Sequence, residues 1–219
     1  MPEYTIVLAD RQPPLRGDIE RTPWSLADVA LVDQFPWYAG GLKQLTTARL
    51  LYDAGALYLQ FICEDKHLSS EVRELNGPVC RDSCVEFFAT ISPADGPDYF
   101  NFEANACGVF HLGFGPHIDD RKLISPGLAR QIRVTTSLDA PAKDVSPDDD
   151  GWWLVATIPF EVIGELSGRQ VKPAAGDVWQ GNFYRCGGTI DPQYACWSPV
   201  DTPQPHFHQP GYFSELRFA

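Results

Sequence analysis

The chain has 219 residues, of which 44% are hydrophobic and 21% are charged, a composition typical of a soluble globular protein. Its 17 basic and 29 acidic residues give a net charge of −12 at pH 7. Because nucleic acids and anionic membranes attract basic surfaces, neither is expected as a partner.

Location and redox state follow from simple sequence features. The sequence has no apolar run of about 18 or more residues that could span a membrane. Its first residues lack the basic head and apolar block of a signal peptide, so a cytoplasmic protein is expected, or a secreted or periplasmic one if a leader was trimmed. Six cysteines are too few for a disulfide framework and favour free thiols. A bond between Cys186 and Cys196 is the less favoured alternative.

Taken in order, the chain shows strand patterns with minimal helix. Residues 46–52 and 56–64 predict a hairpin with a turn at 53–55. Helical turns are expected only at 25–31 and 159–164. Further strands are predicted at residues 82–90, 99–107, 109–114, 131–137, 152–158, 177–186, 194–198 and 212–218. This pattern predicts an all-β fold, an antiparallel β-sandwich of about ten strands with jelly-roll or immunoglobulin-like layers, in a single domain spanning residues 1–219.

The hairpin of residues 82–90 and 99–107 carries an unusual density of polar groups on one side. Side chains alternate between the two faces of a strand, so Glu86 lies on the face opposite to Phe87. On the second strand Asn101, Glu103 and Asn105 share one face. Two interpretations stay open at this point: a solvated outer face, which antiparallel sheets usually have, or a polar ligand-binding surface.

A series of motifs resembles the family 9 carbohydrate-binding modules, and especially their stand-alone relatives. The resemblance runs from about Asp18 to Phe218 with the order of the motifs preserved. The motifs are the hairpin TARLLYD and ALYLQFICED, then DSCVEFF, YFNFEANACG, GWWLVATIPFEVIG, GNFYRCGG, CWSP and FHQPGYFSELRF. The resemblance implies a β-sandwich that binds glucan or xylan chain ends on one sheet face, between two tryptophans and polar strand residues. It also implies structural Ca²⁺ ions.

The family pattern transfers to this sequence only in part. Glu86 matches the glutamate of the VE-F motif, and Asn105 matches the asparagine of the following strand. Glu103 stands where the family often has a basic residue, so a donor to sugar hydroxyls is replaced by an acceptor. The second family tryptophan falls near Phe207, and the first falls near Val79 or Cys80, where no aromatic residue stands.

Aromatic and imidazole side chains are the remaining candidates for the same face. Sugar rings have apolar C–H faces that stack on aromatic rings, while their hydroxyls require hydrogen bonds. Tyr184, Trp197 and Phe207 are the candidate ring contacts. His206 and His208 flank Phe207 and are expected at the rim.

A rival hypothesis makes the protein an enzyme. Glu86 and Glu103 on neighbouring strands could act as the acid and base of a glycoside-cleaving enzyme, which requires two carboxyl groups about 5–9 Å apart. Alternatively His206, His208 and Cys186 could join these carboxylates in a transition-metal site, although no tight ligand spacing supports it. Ca²⁺ is possible by the family resemblance, with oxygen-rich clusters at residues 64–65, 119–120 and 148–150.

The sequence therefore predicts a non-catalytic protein that binds a mono- or oligosaccharide and serves polysaccharide use. No catalytic or metal-ligating residue is assigned, and no cofactor is certain. The oligomeric state stays open. The predicted ligand-binding residues are Glu86, Asn101, Glu103, Asn105, Tyr184, Trp197, His206, Phe207 and His208.

Overall fold

Strands supply most of the regular structure. The computed structural model describes residues 1–138, 148–188 and 190–219. These residues form thirteen strands: β1 (Glu3–Leu8), β2 (Ala30–Val32), β3 (Thr46–Tyr52), β4 (Ala56–Cys63), β5 (Cys84–Thr90), β6 (Tyr99–Asn105), β7 (Phe110–His117), β8 (Asp120–Leu123), β9 (Arg133–Thr136), β10 (Trp152–Pro159), β11 (Val178–Cys186), β12 (Tyr194–Cys196) and β13 (Ser214–Phe218). The sequence predicted about ten. The predicted strands leave out β1, which falls in residues 1–24, where the sequence indicated only an irregular or edge-strand segment. They also leave out β2 and β8, because three and four residues are too few to show alternation.

Helices are short, as expected. They are α1 (Pro126–Ala129), α2 (Phe160–Ser167) and the 3-10 turns Pro23–Leu26, Val79–Arg81, Pro93–Asp95 and Pro210–Tyr212. The turn expected at residues 159–164 is α2, which ends at Gly168 in the left-handed conformation with φ 71°. Within the described ranges no helix is long and apolar enough to cross a membrane.

The strands form two layers joined by β1. The front sheet has the order β8-β7-β6-β5-β11-β13-β1, with β12 beside β11, and the back sheet has the order β1-β3-β4-β10-β9, with β2 beside β3. Residues 3–6 of β1 pair with β13, and Val7 and Leu8 pair with β3, both in parallel. The other pairings are antiparallel. The sandwich prediction is confirmed, with mixed pairing at β1.

Phenylalanine side chains fill the space between the two sheets. Phe87 of β5 lies opposite Phe183 of β11 and Phe102 of β6 in register. The rings of Phe87 and Phe183 stack with centroids 5.0 Å apart, and Phe61 of β4 meets Phe183 edge-on at 6.2 Å. This packing fixes which face of β5, β6 and β11 points outward.

One ion pair is buried within this layer. The Arg185 guanidinium donates to the Asp65 carboxylate, and both side chains are at most 5% exposed. The Trp152 indole N–H also donates to Asp65 at 3.0 Å, and its ring lies 5.6 Å from the guanidinium carbon. The Arg185 and Asp65 charges compensate each other, and either one would be very costly to bury alone.

The six cysteines are free thiols. Cys186 lies opposite Tyr194, and Cys196 lies opposite Tyr184. The two thiols are therefore offset by two residues across the strand pair. This offset does not favour a disulfide bond between Cys186 and Cys196.

Arg185→Met is expected to lower the free energy of unfolding by about 3–5 kcal/mol, because it leaves Asp65 as an unpaired buried charge. Denaturant unfolding measures the loss. The matched control is Arg217→Met, which breaks the exposed pair with Glu215 and should change stability little. Equal, small losses in both variants would contradict this account of the ion pair.

Candidate functional site

The outer face of the front sheet brings together the four polar residues that alternation predicted. Glu86 lies opposite Glu103, and Asn105 lies opposite Cys84. Asn101 completes the row because alternate residues of a strand share a face. All four polar side chains are nonetheless buried, with exposed fractions between 0% and 8%. The face is therefore not the solvated surface that the simpler interpretation required.

Two irregular segments cover this face with a second apolar layer. The turn Val79–Arg81 places Val79 in it, and residues 199–213 contribute Phe207. Phe207 stacks on Tyr184 with centroids 4.2 Å apart and an interplanar angle of 15°. The Tyr184 hydroxyl donates to the Phe207 carbonyl at 3.1 Å. These two rings thus cover each other and seal the sheet, whereas the sequence predicted that they contact a ligand.

Trp197 lies on the other side of the front sheet. Cys196 pairs with Tyr184 and shares its outward direction, so the next residue points inward. The Trp197 ring packs between the sheets, 5.6 Å from Phe183 and 6.2 Å from Tyr4. The expectation that Trp197 contacts a ligand together with Glu86 is corrected for this reason.

The two histidines occupy different environments. His208 Nδ1 lies 2.9 Å from the Tyr99 hydroxyl, and its ring lies 4.9 Å from that of Phe88. Burial, and then the charge of Arg121, lowers the pKa of His208 to about 3, so this imidazole is neutral. His206 is half-buried, with its ring 6.1 Å from that of His208.

A cavity of about 470 Å³ opens beside His208, and we call it the front cavity. Its volume lies in the range of small-molecule sites. Ile118 and Leu123 line it with apolar side chains that are 44% and 46% exposed. Of the nine predicted site residues, Asn101, Glu103 and His208 line the cavity. Its polar and charged lining comprises Asn76, Asn101, Glu103, His111, Asp119, Arg121 and His208.

Asn105 is engaged in structural hydrogen bonds instead. Its Nδ2 donates to Asp82 Oδ2 at 2.7 Å and to the Val72 carbonyl at 3.1 Å. Its Oδ1 accepts from the backbone N–H of Val109 at 3.0 Å. These bonds hold the loop before β5 against the end of β6, and Asn105 does not line the front cavity.

Arg121 of β8 is a site residue that sequence reasoning missed. Its guanidinium carbon lies 4.4 Å from the centre of the Tyr99 ring, and its Nη1 donates to Asn101 Oδ1. Asn101 Nδ2 in turn donates to Glu103 Oε1 at 2.6 Å. Within the described part of the chain, Nη2 of Arg121 is buried without a hydrogen-bond partner. The arrangement places a cationic donor beside the glutamate that replaces the family's basic residue.

Two glycines of β7 make room for this arginine. A Cβ atom on Gly113 would lie 3.0 Å from Arg121 Cδ and 3.1 Å from Asn101 Oδ1. A Cβ atom on Gly115 would lie 2.2 Å from the Asp120 carbonyl oxygen. The alternation Gly113-Phe114-Gly115 was the signal in the sequence that a neighbouring group crosses the outer face at this point.

The Glu86 and Glu103 carboxyl groups have unusual acidities. Burial, followed by the proximity of Glu103, raises the pKa of Glu86 well above the usual value, and a hydrogen bond from the Cys186 thiol at 2.9 Å partly offsets this. Burial also raises the pKa of Glu103, while His111 and the Asn101 amide oppose the rise. At neutral pH the Glu86 carboxyl group is therefore the more strongly held in its protonated form.

The raised pKa values would suit a general acid, but the geometry does not suit glycoside cleavage. Two catalytic carboxyl groups must flank the bond that they break. Glu103 lines the front cavity, whereas Glu86 is 2% exposed and does not line it. Burial is the largest cause of both pKa shifts.

The oxygen-rich clusters proposed for Ca²⁺ contain side chains that make other contacts in this structure. Asp65 is engaged by Arg185, and Asp150 pairs with Lys66 at 3.3 Å. Asp119 lies 3.6 Å from the His117 imidazole. Among the residues that the structure describes, no group of three or more His, Cys, Asp or Glu side chains could hold a metal ion, including the group proposed around His206 and His208.

Comparisons with known proteins agree with the fold. The model of Carbohydrate-binding family 9 matches residues 21–218. The structure of a candidate carbohydrate-binding protein from Bacteroides uniformis ATCC 8492 is 26% identical, covers 89% of this chain and 88% of its own, and has a TM-score of 0.80. Family 9 modules from Caldicellulosiruptor kristjanssonii, one in complex with cellotriose and one with glucose, are each 15% identical, cover 98% of this chain and 93% and 95% of their own, and have TM-scores of 0.64. Among curated proteins none matches this chain.

Phe207→Ala is expected to lower the free energy of unfolding by about 3–5 kcal/mol, because it opens a cavity in the seal over Tyr184. The control is Leu42→Ala at a side chain that is 67% exposed, where little change is expected. Denaturant unfolding of both variants shows whether the Phe207 ring is a buried structural ring or an open platform for a sugar. A loss as small as that of the control would mean that Phe207 is an open platform.

Proposed function

This chain belongs to carbohydrate-binding family 9, and on that premise we propose that the front cavity holds a mono- or oligosaccharide without altering it. The observation that carries the proposal is the lining of the cavity. Charged and polar groups that donate and accept hydrogen bonds lie beside two exposed aliphatic side chains, Ile118 and Leu123. A sugar needs both, since hydroxyls line its edge and C–H groups its faces.

Each polar group has a definite role in this proposal. Glu103 accepts hydrogen bonds from sugar hydroxyls, and the guanidinium of Arg121, which lines the same cavity, donates to a sugar oxygen. Asn101 joins the two, because it accepts from Arg121 and donates to Glu103. Arg121 thus supplies, from β8, the cationic donor that the resembled family places at the position of Glu103.

The apolar contact differs from a stack between two tryptophans. Phe207 is part of the layer that covers Tyr184, and Cys80, near the position where the other family tryptophan falls, lines the cavity without a ring. Ile118 and Leu123 supply the surface for the C–H face of the sugar instead. Aliphatic contacts lack the specific geometry of ring stacking, so we propose that hydrogen bonds provide most of the selectivity.

The cavity dimensions suit the end of a sugar chain. Its volume of about 470 Å³ suits a small ligand. The related modules in complex with glucose and with cellotriose support a glucose-containing ligand for this chain. Xylan or glucan as the polymer, the single-domain division of residues 1–219 and the cytoplasmic location stay predictions.

Arg121→Gln is expected to weaken sugar binding about 10- to 100-fold, because a charge-assisted hydrogen bond is worth about 1.5–3 kcal/mol. Titration calorimetry with glucose, cellobiose, cellotriose and xylobiose measures the affinity. Arg133→Gln, an exposed arginine of β9 in the back sheet, is the matched control and should bind as the wild type does. No saturable heat with any sugar, or equal affinities of the two variants, would contradict the proposed site.

A further inference from the structure

The two carboxyl groups of the front sheet lie together without a cation in contact. Glu86 and Glu103 are opposite each other in register, and both are buried. In the described ranges, no ion pair includes either residue. Glu86 Oε2 is buried with no hydrogen-bond partner there. Two carboxyl groups in such an arrangement cannot both be ionised without strong repulsion.

We propose that Glu86 and Glu103 share one proton, which Glu86 holds at neutral pH, and that ionisation of both groups releases the sugar from the front cavity. This inference rests on the proposed function, since it concerns the affinity of the same cavity. The pair acts as one titrating unit located behind the ligand.

The hydrogen bonds assign the proton to Glu86. The Cys186 thiol, a weak donor, is the only hydrogen-bond partner that the described residues give to the Glu86 carboxyl group. Glu103 accepts from the Asn101 amide, and this amide is also bound by the Arg121 guanidinium. Glu103 is thus the carboxyl group better placed to carry negative charge.

Most groups packed around the pair stay neutral across the working pH range. Burial raises the pKa of Cys80 to about 11 and that of Tyr99 to about 12. Burial raises the pKa values of Cys84, Cys186 and Tyr184 well above their usual values. It also raises the pKa of Tyr194. These groups therefore do not produce a pH dependence near neutrality.

The remaining neighbours are charged or imidazole groups. Arg121 crosses the face from β8, Arg81 is exposed in the adjoining 3-10 turn, and Asp119 lies at the cavity rim. His208 is neutral because its pKa is lowered to about 3. His111 of β7, with Nδ1 3.2 Å from the Asn76 carbonyl, also lines the front cavity, so a variant at this position serves as a control for the pair.

Sugar affinity should pass through a maximum as the pH changes. A hydroxyl that donates to ionised Glu103 favours that state and leaves the proton on Glu86. At low pH Glu103 becomes protonated and loses its strength as an acceptor. At high pH Glu86 ionises as well, and its charge repels Glu103 and disturbs the contacts of Asn101 and Arg121.

The test is titration calorimetry with cellotriose between pH 4 and pH 9, with Glu86→Gln, Glu161→Gln and His111→Gln beside the wild type. We expect wild-type affinity to fall at least 10-fold on the alkaline side, and Glu86→Gln, a mimic of the neutral acid, to remove that fall. Glu161→Gln, at an exposed glutamate of α2, should retain it. An alkaline fall that persists in Glu86→Gln but vanishes in His111→Gln would overturn the inference, as would a flat wild-type profile with bound sugar. Absence of binding at every pH would overturn the proposed function.

A second measurement tests the shared proton without sugar. The pKa of Glu86 is raised in the folded state, so its contribution to stability is present below the usual value of 4.5 and is lost as the pH rises through the raised value. Carbon-13 NMR of the wild-type carboxyl groups should show Glu86 titrating above Glu103. Titration of both carboxyls near the usual value would overturn the inference, even if Glu86→Gln failed to fold.

Discussion

The register of β5 with β6 and β11 is the constraint on which both faces of the front sheet depend. It places phenylalanines opposite one another inside the sandwich and Glu86 opposite Glu103 outside it. Side chains alternate with a period of two, so a slip of β5 by one residue would turn Glu86 inward among the phenylalanines and Phe87 outward. The core packing of Phe87 on Phe183 therefore also fixes the composition of the outer face.

The front sheet buries charge on both of its sides, with different consequences. On the inner side Arg185 meets Asp65, and each charge compensates the other. On the outer side Glu86 and Glu103 face each other with no ion pair within the described ranges, and Glu103 borders the front cavity. A compensated pair contributes to a defined fold, whereas an uncompensated pair makes the site depend on the proton concentration.

Local patterns made much of the fold predictable. The two hairpins and the outward direction of Glu86, Asn101 and Glu103 follow from alternation alone. The cover of this face did not follow from it, because residues 199–213 have no periodic pattern and reach the sheet through long-range packing. Arg121 was missed because the contact of β8 with this face depends on two glycines of β7. The inward direction of Trp197 depends on its pairing register, which sequence composition does not show.

The location of a bound sugar tests the central claim most directly. Methyl NMR spectra of the protein titrated with cellotriose report on Ile118 and Leu123 at the front cavity. They also report on Leu45 and Ile62, which line a separate depression beside Trp152 and Trp153. We predict saturable shifts of the first two methyl groups and none at the second two. Shifts confined to Leu45 and Ile62 would contradict the front cavity as the sugar site.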